Sequence, residues 1–304
     1  MKYLCPRLTL LLVVFCAPAF SFAIAGSSPA VDAAWKAAEM AMKKGPADIP
    51  IAGQATLKLP KGFAYIPTAQ AGNLMRVNGN QMDRGFAGLV MPVAMKGESW
   101  FVVITYNDSG NISDGDAKDW NADELLESYR QGTEAGNEAR RQQGIAEWEV
   151  GGWVEKPQYD EKSRRLVWAI SVHDKGNAKP EDMSVNYNTL ALGREGYISM
   201  NLVTGLKQVE KQKPAAQKLL ANLTFNPGRQ YTDFNSSTDK AAGYGLAALI
   251  TGVAAKKMGL FAIIAAFAAK FAKVIAVAAL GLGAAAISLF KRDKDGSDSS
   301  NMPS

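Results

Sequence analysis

The loop DSGNISDGDAKD at residues 108–119 concentrates carboxylates that could hold a metal ion. Carboxylate oxygens are ligands that Ca²⁺ accepts in proteins, but the loop lacks the EF-hand register with a glutamate at the twelfth position. The alternative is a solvated turn that leads into a helix N-terminus, where the helix dipole favours acidic residues. We favour the turn and keep four aspartates as candidate metal ligands: Asp108, Asp114, Asp116 and Asp119.

The stretch GGWVEKPQYDEKSRRLVWAI at residues 151–170 gathers aromatic side chains around a charged turn. One interpretation is a hairpin in which Trp153 and Trp168 are cross-strand neighbours, because aromatic pairs stabilise adjacent strands. The other is an exposed aromatic patch that contacts a protein partner or a glycan. Large aromatic residues are usually buried, which favours the hairpin. The candidate binding residues are Trp153, Pro157, Tyr159, Asp160 and Trp168.

The residue types give little support to other catalytic classes. His173 is the only histidine and no G-x-S-x-G motif is present, which argues against a Ser-His-Asp triad. A single histidine also argues against zinc, and no Walker A or G-x-G-x-x-G motif precedes a helix. We therefore expect no cofactor. The enzymatic alternative is a carboxylate-dependent hydrolase or transferase that uses the 108–119 loop or the Tyr159-Asp160 turn.

The first 25 residues have the features of a secretory signal peptide. Lys2 and Arg7 precede an apolar run from Leu8 to Phe22, and Ala23-Ile24-Ala25 is an A-x-A cleavage site. Because the run is short for a bilayer span of about 20 residues, we expect cleavage rather than an uncleaved anchor. Both cysteines lie in this segment, so the mature chain would have neither disulfides nor a catalytic thiol.

Residues 241–290 form an apolar region rich in Ala, Gly, Leu and Ile. Within it, Val274–Phe290 holds no charge and meets the lower end of the membrane-spanning range. Lys270 and Lys273 can snorkel, which extends the predicted transmembrane helix to residues 268–290.

The polar tail 291–304 begins with basic residues, which the positive-inside rule places in the cytoplasm. The earlier residues 241–269 could form an interfacial helix or one half of a helical hairpin. Small residues four apart in the tail would also permit close helix contacts in a homo-oligomer. The predicted topology is a single pass, with the main domain on the opposite side of the membrane from this tail.

Charge is distributed unevenly along the chain. The whole chain has a net charge of +5, but residues 26–240 contain 25 basic and 26 acidic side chains. Because a net charge of −1 gives no attraction to phosphates, we expect no nucleic-acid partner. The basic residues instead fit targeting and anchoring, with the lipid bilayer as the expected contact.

Periodicity predicts that residues 26–240 form an α+β domain, a mostly antiparallel sheet flanked by helices. The stretch PAVDAAWKAAEMAMKKG predicts a helix that Gly45-Pro46 ends. QATLKLP and GFAYIP predict a hairpin across Pro60-Lys61-Gly62, and FAGLVMP and SWFVVITY predict strands. A capping box at Asn121 begins a long helix that Gly144 ends, which makes residue 144 a candidate sub-boundary.

Four strands and a helix are predicted after residue 144. The strands are EWEVGGWV, RRLVWAISV, MSVNYNTLALG and GYISMNLV, and the last two form a hairpin around Arg194-Glu195. LKQVEKQKPAAQKLLANL predicts a helix, with TFN as a short closing strand. At the level of fold alone, this order resembles the periplasmic α/β sandwiches of the Mog1/PsbP type.

Several long motifs carry a resemblance to a known family. They are NISDGDAKDWNADELL, GTEAGNEARRQQG, GWVEKPQYD with RRLVWA, NYNTLALGREGY, NLVT, FNPGRQYTDFNSSTDKAAGYGLAALI and the lysine-interrupted apolar tail. Together they resemble an uncharacterised bacterial family, described as membrane-anchored proteins with a domain of unknown function. The resemblance covers nearly the whole mature chain. It implies a bacterial envelope protein and supplies neither an activity nor site residues.

These observations favour a non-enzymatic envelope protein, in which a periplasmic domain held at the inner membrane binds a protein or another envelope component. Two membrane signals surround a domain in which no catalytic motif stands out.

Overall fold

The computed structural model describes residues 28–80, 82, 84–94, 100–142 and 144–251. The helices are α1 (Pro29–Ala41), α2 (Thr68–Val77), α3 (Ala122–Gln142), α4 (Val209–Ala221) and α5 (Leu246–Thr251). The strands are β1 (Lys43–Lys44), β2 (Ala47–Ile51), β3 (Ala55–Leu59), β4 (Phe63–Ile66), β5 (Phe86–Pro92), β6 (Phe101–Asn107), β7 (Asn111–Ser113), β8 (Trp148–Asp160), β9 (Arg165–Asp174), β10 (Ser184–Leu192), β11 (Tyr197–Gly205), β12 (Leu223–Phe225) and β13 (Ala241–Gly245).

A large antiparallel sheet dominates the described part of the chain. Its eight strands lie in the order β1-β4-β5-β6-β11-β10-β9-β8. Two smaller sheets have the orders β12-β3-β2 and β13-β7. The predicted α+β architecture, an antiparallel sheet flanked by helices, is therefore confirmed. Strands from both sides of residue 144 pair in the large sheet, where β6 lies beside β11.

The two faces of the large sheet have different coverings. On one face, which we call the α4 face, Val167, Ala169 and Tyr187 belong to a core that includes α4 and the β12-β3-β2 sheet. The opposite face, which we call the α1/α3 face, has separate cores at its two ends. Helices α1 and α2 cover the end formed by β4, β5 and β6. Helices α3 and α5 cover the end formed by β8, β9 and β10.

The predicted hairpin between QATLKLP and GFAYIP is wrong. Strand β3 pairs with β2 and β12, whereas β4 pairs with β1 and β5. The chain therefore crosses from the small sheet to the large one at Pro60-Lys61-Gly62 instead of folding back on itself. The hairpin that β3 does form is with β2, a strand that contains Pro50. In the turn between these two strands, Ala52 and Gly53 have positive φ.

Two predicted membrane segments fall outside this description. The signal peptide 1–25 and the transmembrane helix 268–290 are not among the described residues. Between residues 28 and 251, taken without the gaps given above, no helix has the length and apolar character needed to cross a bilayer. Residues 241–251, assigned from sequence to the apolar membrane region, form β13 and α5 and pack on the domain, where Leu246 and Ile250 are buried.

Candidate functional site

Asp114 lies at the centre of a cluster of polar side chains. Its carboxylate accepts a hydrogen bond from the Tyr159 hydroxyl at 2.7 Å and forms an ion pair with the Arg164 guanidinium. The Tyr231 hydroxyl has one proton to donate and lies within hydrogen-bond distance of two acceptors, the Ile112 carbonyl at 2.8 Å and the Asp114 carboxylate at 3.2 Å. The Arg164 guanidinium also lies 4.7 Å from the centre of the Tyr231 ring. The cluster therefore joins the aspartate loop, the β8–β9 hairpin and the C-terminal segment.

The ionisation of this cluster is fixed at neutral pH. Burial by itself raises the pKa of Asp114, but the Tyr159 hydrogen bond and the Arg164 charge outweigh it, so the pKa lies below its ordinary value. Burial, then the hydrogen bond to Asp114, raise the pKa of Tyr159. Burial and the charge of Asp114 raise the pKa of Tyr231 to about 12. Asp114 is therefore ionised and both tyrosines are neutral, an arrangement that suits a structural contact better than proton transfer near pH 7.

The other three aspartates of the loop have separate environments. Asp116 caps α5, since its carboxylate accepts from the backbone N–H groups of Leu246 and Ala247, each at 3.0 Å. Asp108 and Asp119 are exposed. Among the described residues, no three His, Cys, Asp or Glu side chains form a group that could hold a metal ion. The loop thus works locally as a turn whose carboxylates hold other parts of the chain.

Residues 228–251, which we call the C-terminal strap, are attached to the domain at several points. Strand β13 pairs in parallel with β7. Arg194, in the turn between β10 and β11, binds both carboxylate oxygens of Asp239 at 2.7 and 2.9 Å. Gly245 lies so close to Asp116 that a side chain there would meet the carboxylate. The strap is therefore part of the folded domain up to Thr251.

The predicted aromatic pair is not a cross-strand pair. Trp153 lies opposite Ile170, and the neighbour of Trp168 on β10 is Asn188. Three register shifts in β8, the last between Glu155 and Gln158 at Pro157, displace the strand relative to β9. Both tryptophans nevertheless pack in the core under α3 and α5, so the buried interpretation describes them better than an exposed patch.

Asp160 has a local structural role. Its carboxylate accepts from the Lys162 backbone N–H at 3.0 Å and from the Ser163 hydroxyl at 2.6 Å, which closes the turn between β8 and β9. The Ser163 hydrogen bond, with a smaller contribution from the Lys162 backbone, lowers the pKa of Asp160.

We expect Asp160→Asn to lower the thermal midpoint slightly, because the amide keeps only one acceptor oxygen, whereas the Lys162 N–H and the Ser163 hydroxyl each donate to a separate oxygen of Asp160. Thermal unfolding of the full chain, followed by circular dichroism, measures this change. The matched control is Glu161→Gln, an exposed residue of the same turn, which should unfold like the natural chain. An unchanged midpoint in Asp160→Asn, together with loss of a cellular function, would instead favour the carboxylate enzyme.

Sequence reasoning missed a group of uncharged polar side chains in the middle of the α1/α3 face. These residues lie on β6, β10 and β11, in the gap between the core under α1 and α2 and the core under α3 and α5. Asn188 is the neighbour of both Trp168 on β9 and Asn201 on β11, so the three form one row across the sheet. We call the group the polar floor: Thr105, Asn186, Asn188, Ser199 and Asn201.

Two buried polar atoms at the ends of this row have no partner in the described part of the chain. Trp168 is 6 % exposed and Asn201 is 5 % exposed, yet the Nε1–H of the first and the Oδ1 of the second make no hydrogen bond to any described residue. The Asn201 amide group donates to Asn186 Oδ1 at 2.9 Å, and that of Asn188 donates to the Asn186 carbonyl at 3.2 Å. A buried donor and a buried acceptor without partners each cost free energy. The row therefore favours binding of a molecule that accepts from the Trp168 N–H and donates to the Asn201 oxygen.

A sequence signal for the polar floor exists but is weak. In NYNTLALG, Asn186 and Asn188 are two residues apart and therefore face the same side of a strand that is otherwise mostly apolar. Asn201 occupies a similar place in YISMNLV. Only the register of three neighbouring strands shows that these side chains meet, and that register depends on contacts distant in sequence.

The fold and these sites define an α+β domain with a neutral polar floor and a C-terminal strap. The model of a family described as proteins of unknown function (DUF2167) matches residues 43–281, and the chain belongs to this family. The resemblance to an uncharacterised family is therefore confirmed. No curated protein matches the sequence.

Two solved structures are similar to part of the chain. The solution structure of PsbP (CyanoP) from the cyanobacterium Synechocystis is 11 % identical, with 61 % of this chain and 93 % of that chain covered and a TM-score of 0.35. The crystal structure of the Ran-binding protein Mog1p from Saccharomyces cerevisiae is 9 % identical, with 62 % and 98 % covered and a TM-score of 0.32. Scores this low carry no argument about function.

Proposed function

We propose that this protein is a membrane-anchored envelope protein whose α+β domain is a non-enzymatic binding module on the periplasmic side of the inner membrane. The observation that carries the proposal is the role of Asp114, Tyr159 and Arg164. Asp114 and Arg164 contact Tyr231 of the C-terminal strap, which includes the first residues of the apolar region 241–290, and Tyr159 donates to Asp114. Side chains that could act in catalysis therefore attach the strap to the domain instead.

The strap is held firmly to the domain up to Thr251. Its ion pair between Arg194 and Asp239 is short, at 2.7 Å, and bidentate, which fixes orientation as well as distance. Its helix α5 is capped by Asp116 and buries Leu246 and Ile250 against the domain.

The carboxylate enzyme is not supported by these contacts. A general acid or base works best when its pKa lies near the pH of the reaction. The pKa of Asp114 and that of Asp160 lie below their ordinary values, and the pKa of Tyr159 lies above its own. The two carboxylates are also committed to hydrogen bonds that hold the fold together, so we propose no second function.

The topology part of this proposal can be tested with alkaline-phosphatase fusions in bacterial cells, because the reporter is active only in the periplasm. A fusion after Phe225 should be active, and a fusion after Ser304 should be inactive but present at a comparable level. The reason is that the predicted span 268–290 would return the C-terminus to the cytoplasm. Activity at Ser304 would contradict the proposal, since the tail would then lie on the periplasmic side.

A further inference from the structure

We propose that the polar floor of the α1/α3 face is a binding site for an uncharged saccharide. The inference rests on the proposed function, since it names the class of ligand for the binding module. It starts from the unmet Trp168 Nε1–H donor and the unmet Asn201 Oδ1 acceptor, which flank Asn188 in one row.

The floor is partly open. Asn188, Ser199 and Thr105 are half-buried, whereas Asn186 and Asn201 lie deeper. In the described ranges the hydroxyls of Ser199 and Thr105, which are neighbours across β11 and β6, make no hydrogen bond. Because adjacent strands lie about 4.8 Å apart, the row from Trp168 to Asn201 spans about 10 Å, enough for a sugar ring and its substituents.

The chemistry of the floor excludes charged ligands. Its five residues are amides and hydroxyls, so no side chain among them neutralises an anion or a cation. A phosphate or carboxylate would satisfy the Trp168 N–H and leave the Asn201 oxygen facing a like-signed group. A ligand with several hydroxyl groups can accept from the Trp168 N–H with one group and donate to the Asn201 oxygen with another, without a change of protonation.

The position of the floor argues against a peptide. Peptides that bind sheets commonly pair with the backbone of an exposed edge strand. Strand β10 pairs with β9 and β11 on its two sides, and β11 pairs with β10 and β6, so both are interior strands. Recognition on this face must therefore use side chains. Amides and hydroxyls beside the Trp168 and Tyr197 rings are suited to the hydroxyls and apolar faces of a sugar.

The experiment uses the full chain, labelled with ¹⁵N-tryptophan and purified in a phosphocholine detergent so that no sugar headgroup competes. The chain has six tryptophans, and Trp168→Phe identifies the Trp168 indole signal by its loss. The probes are chitotriose and maltotriose. We expect at least one of them to shift the Trp168 indole N–H in a saturable way while the Trp35 signal stays in place.

Two variants and one control assign the effect to the floor. Asn201→Ala removes the unmet acceptor, and Ser199→Ala removes an unpartnered hydroxyl whose loss should not disturb folding. Each should weaken saccharide binding, by about tenfold for Asn201→Ala and severalfold for Ser199→Ala. Asn177→Ala, in an exposed loop where the Asn177 amide donates to Asp182, should bind like the natural chain.

Several results would overturn the inference. One is a Trp168 indole signal that neither chitotriose nor maltotriose shifts. A cross-peak from this signal to a bound water would then identify a structural water as the partner of the Trp168 N–H. Another is unchanged affinity in Ser199→Ala and in a folded Asn201→Ala. Neither result depends on the fusion experiment. The two experiments therefore distinguish an anchored periplasmic domain that binds no saccharide from a saccharide-binding domain that lacks the predicted anchor.

Discussion

Leu246→Ala should lower the free energy of unfolding by about 3 kcal/mol, the largest effect that we expect from a single change in the C-terminal strap. Leu246 is fully buried at the start of α5, in the same core as Ile112 and Trp168. The loss combines reduced burial of apolar surface with a cavity that the rigid sheet beneath it cannot fill. Urea unfolding of the full chain in detergent, followed by tryptophan fluorescence, measures it.

The control for Leu246→Ala is Leu249→Ala, in the same helix but only partly buried. It should cost about 1 kcal/mol or less, because less apolar surface is lost. Limited proteolysis gives an independent measurement, since release of the strap should expose residues 228–251 to cleavage in Leu246→Ala first. Equal stability of the two variants would show that the strap does not contribute to the domain core.

Asp114→Ala should lower the free energy of unfolding by about 2 kcal/mol. The substitution removes charge-assisted contacts to Arg164, Tyr159 and Tyr231, and partial exposure of the cluster to solvent keeps the expected loss moderate. The same urea titration measures it. Asp108→Ala, an exposed aspartate of the same loop, is the control and should change stability by less than about 0.5 kcal/mol. A calcium-dependent loss in both variants would instead favour a metal site.

The effect of Asp114 should depend on pH in one direction. Its pKa is lower in the folded chain than in the unfolded chain, so its ionised form stabilises the fold at pH values above the unfolded pKa, about 4. This stability is lost as the pH falls through the folded pKa. The difference between the natural chain and Asp114→Asn should therefore be constant between pH 6 and 7 and shrink below about pH 4. A difference that grows on acidification would contradict this role.

Local signals predicted a large part of the fold. Helix α3 begins after Asn121, whose side chain accepts from the Asp123 backbone N–H at 2.9 Å, and it ends at Gln142, two residues before Gly144, which has a positive φ. The hairpin of β10 and β11 follows from two alternating stretches around Arg194-Glu195. Such features depend on a few neighbouring residues, so the sequence contains the information directly.

The errors arose where distant residues compete with local patterns. A turn at Pro60-Lys61-Gly62 is compatible both with a hairpin and with a crossover between sheets, and only the pairing of β3 with β12 decides. The turn favoured for the aspartate loop gave no indication of the partners of its carboxylates, because Tyr231 and Leu246 lie more than 100 residues away. The polar floor was missed because an asparagine in a strand becomes informative only when its neighbours on adjacent strands are known.

Strand β8 has a further consequence, for the behaviour of the protein among its own copies. It is 13 residues long and forms an outer boundary of the large sheet, where unpaired backbone groups could recruit a strand from another molecule. Pro157, which lacks an N–H, and the shifts in register interrupt that boundary. The register shifts that keep Trp153 and Trp168 from being cross-strand neighbours therefore also oppose edge-to-edge aggregation in a crowded compartment.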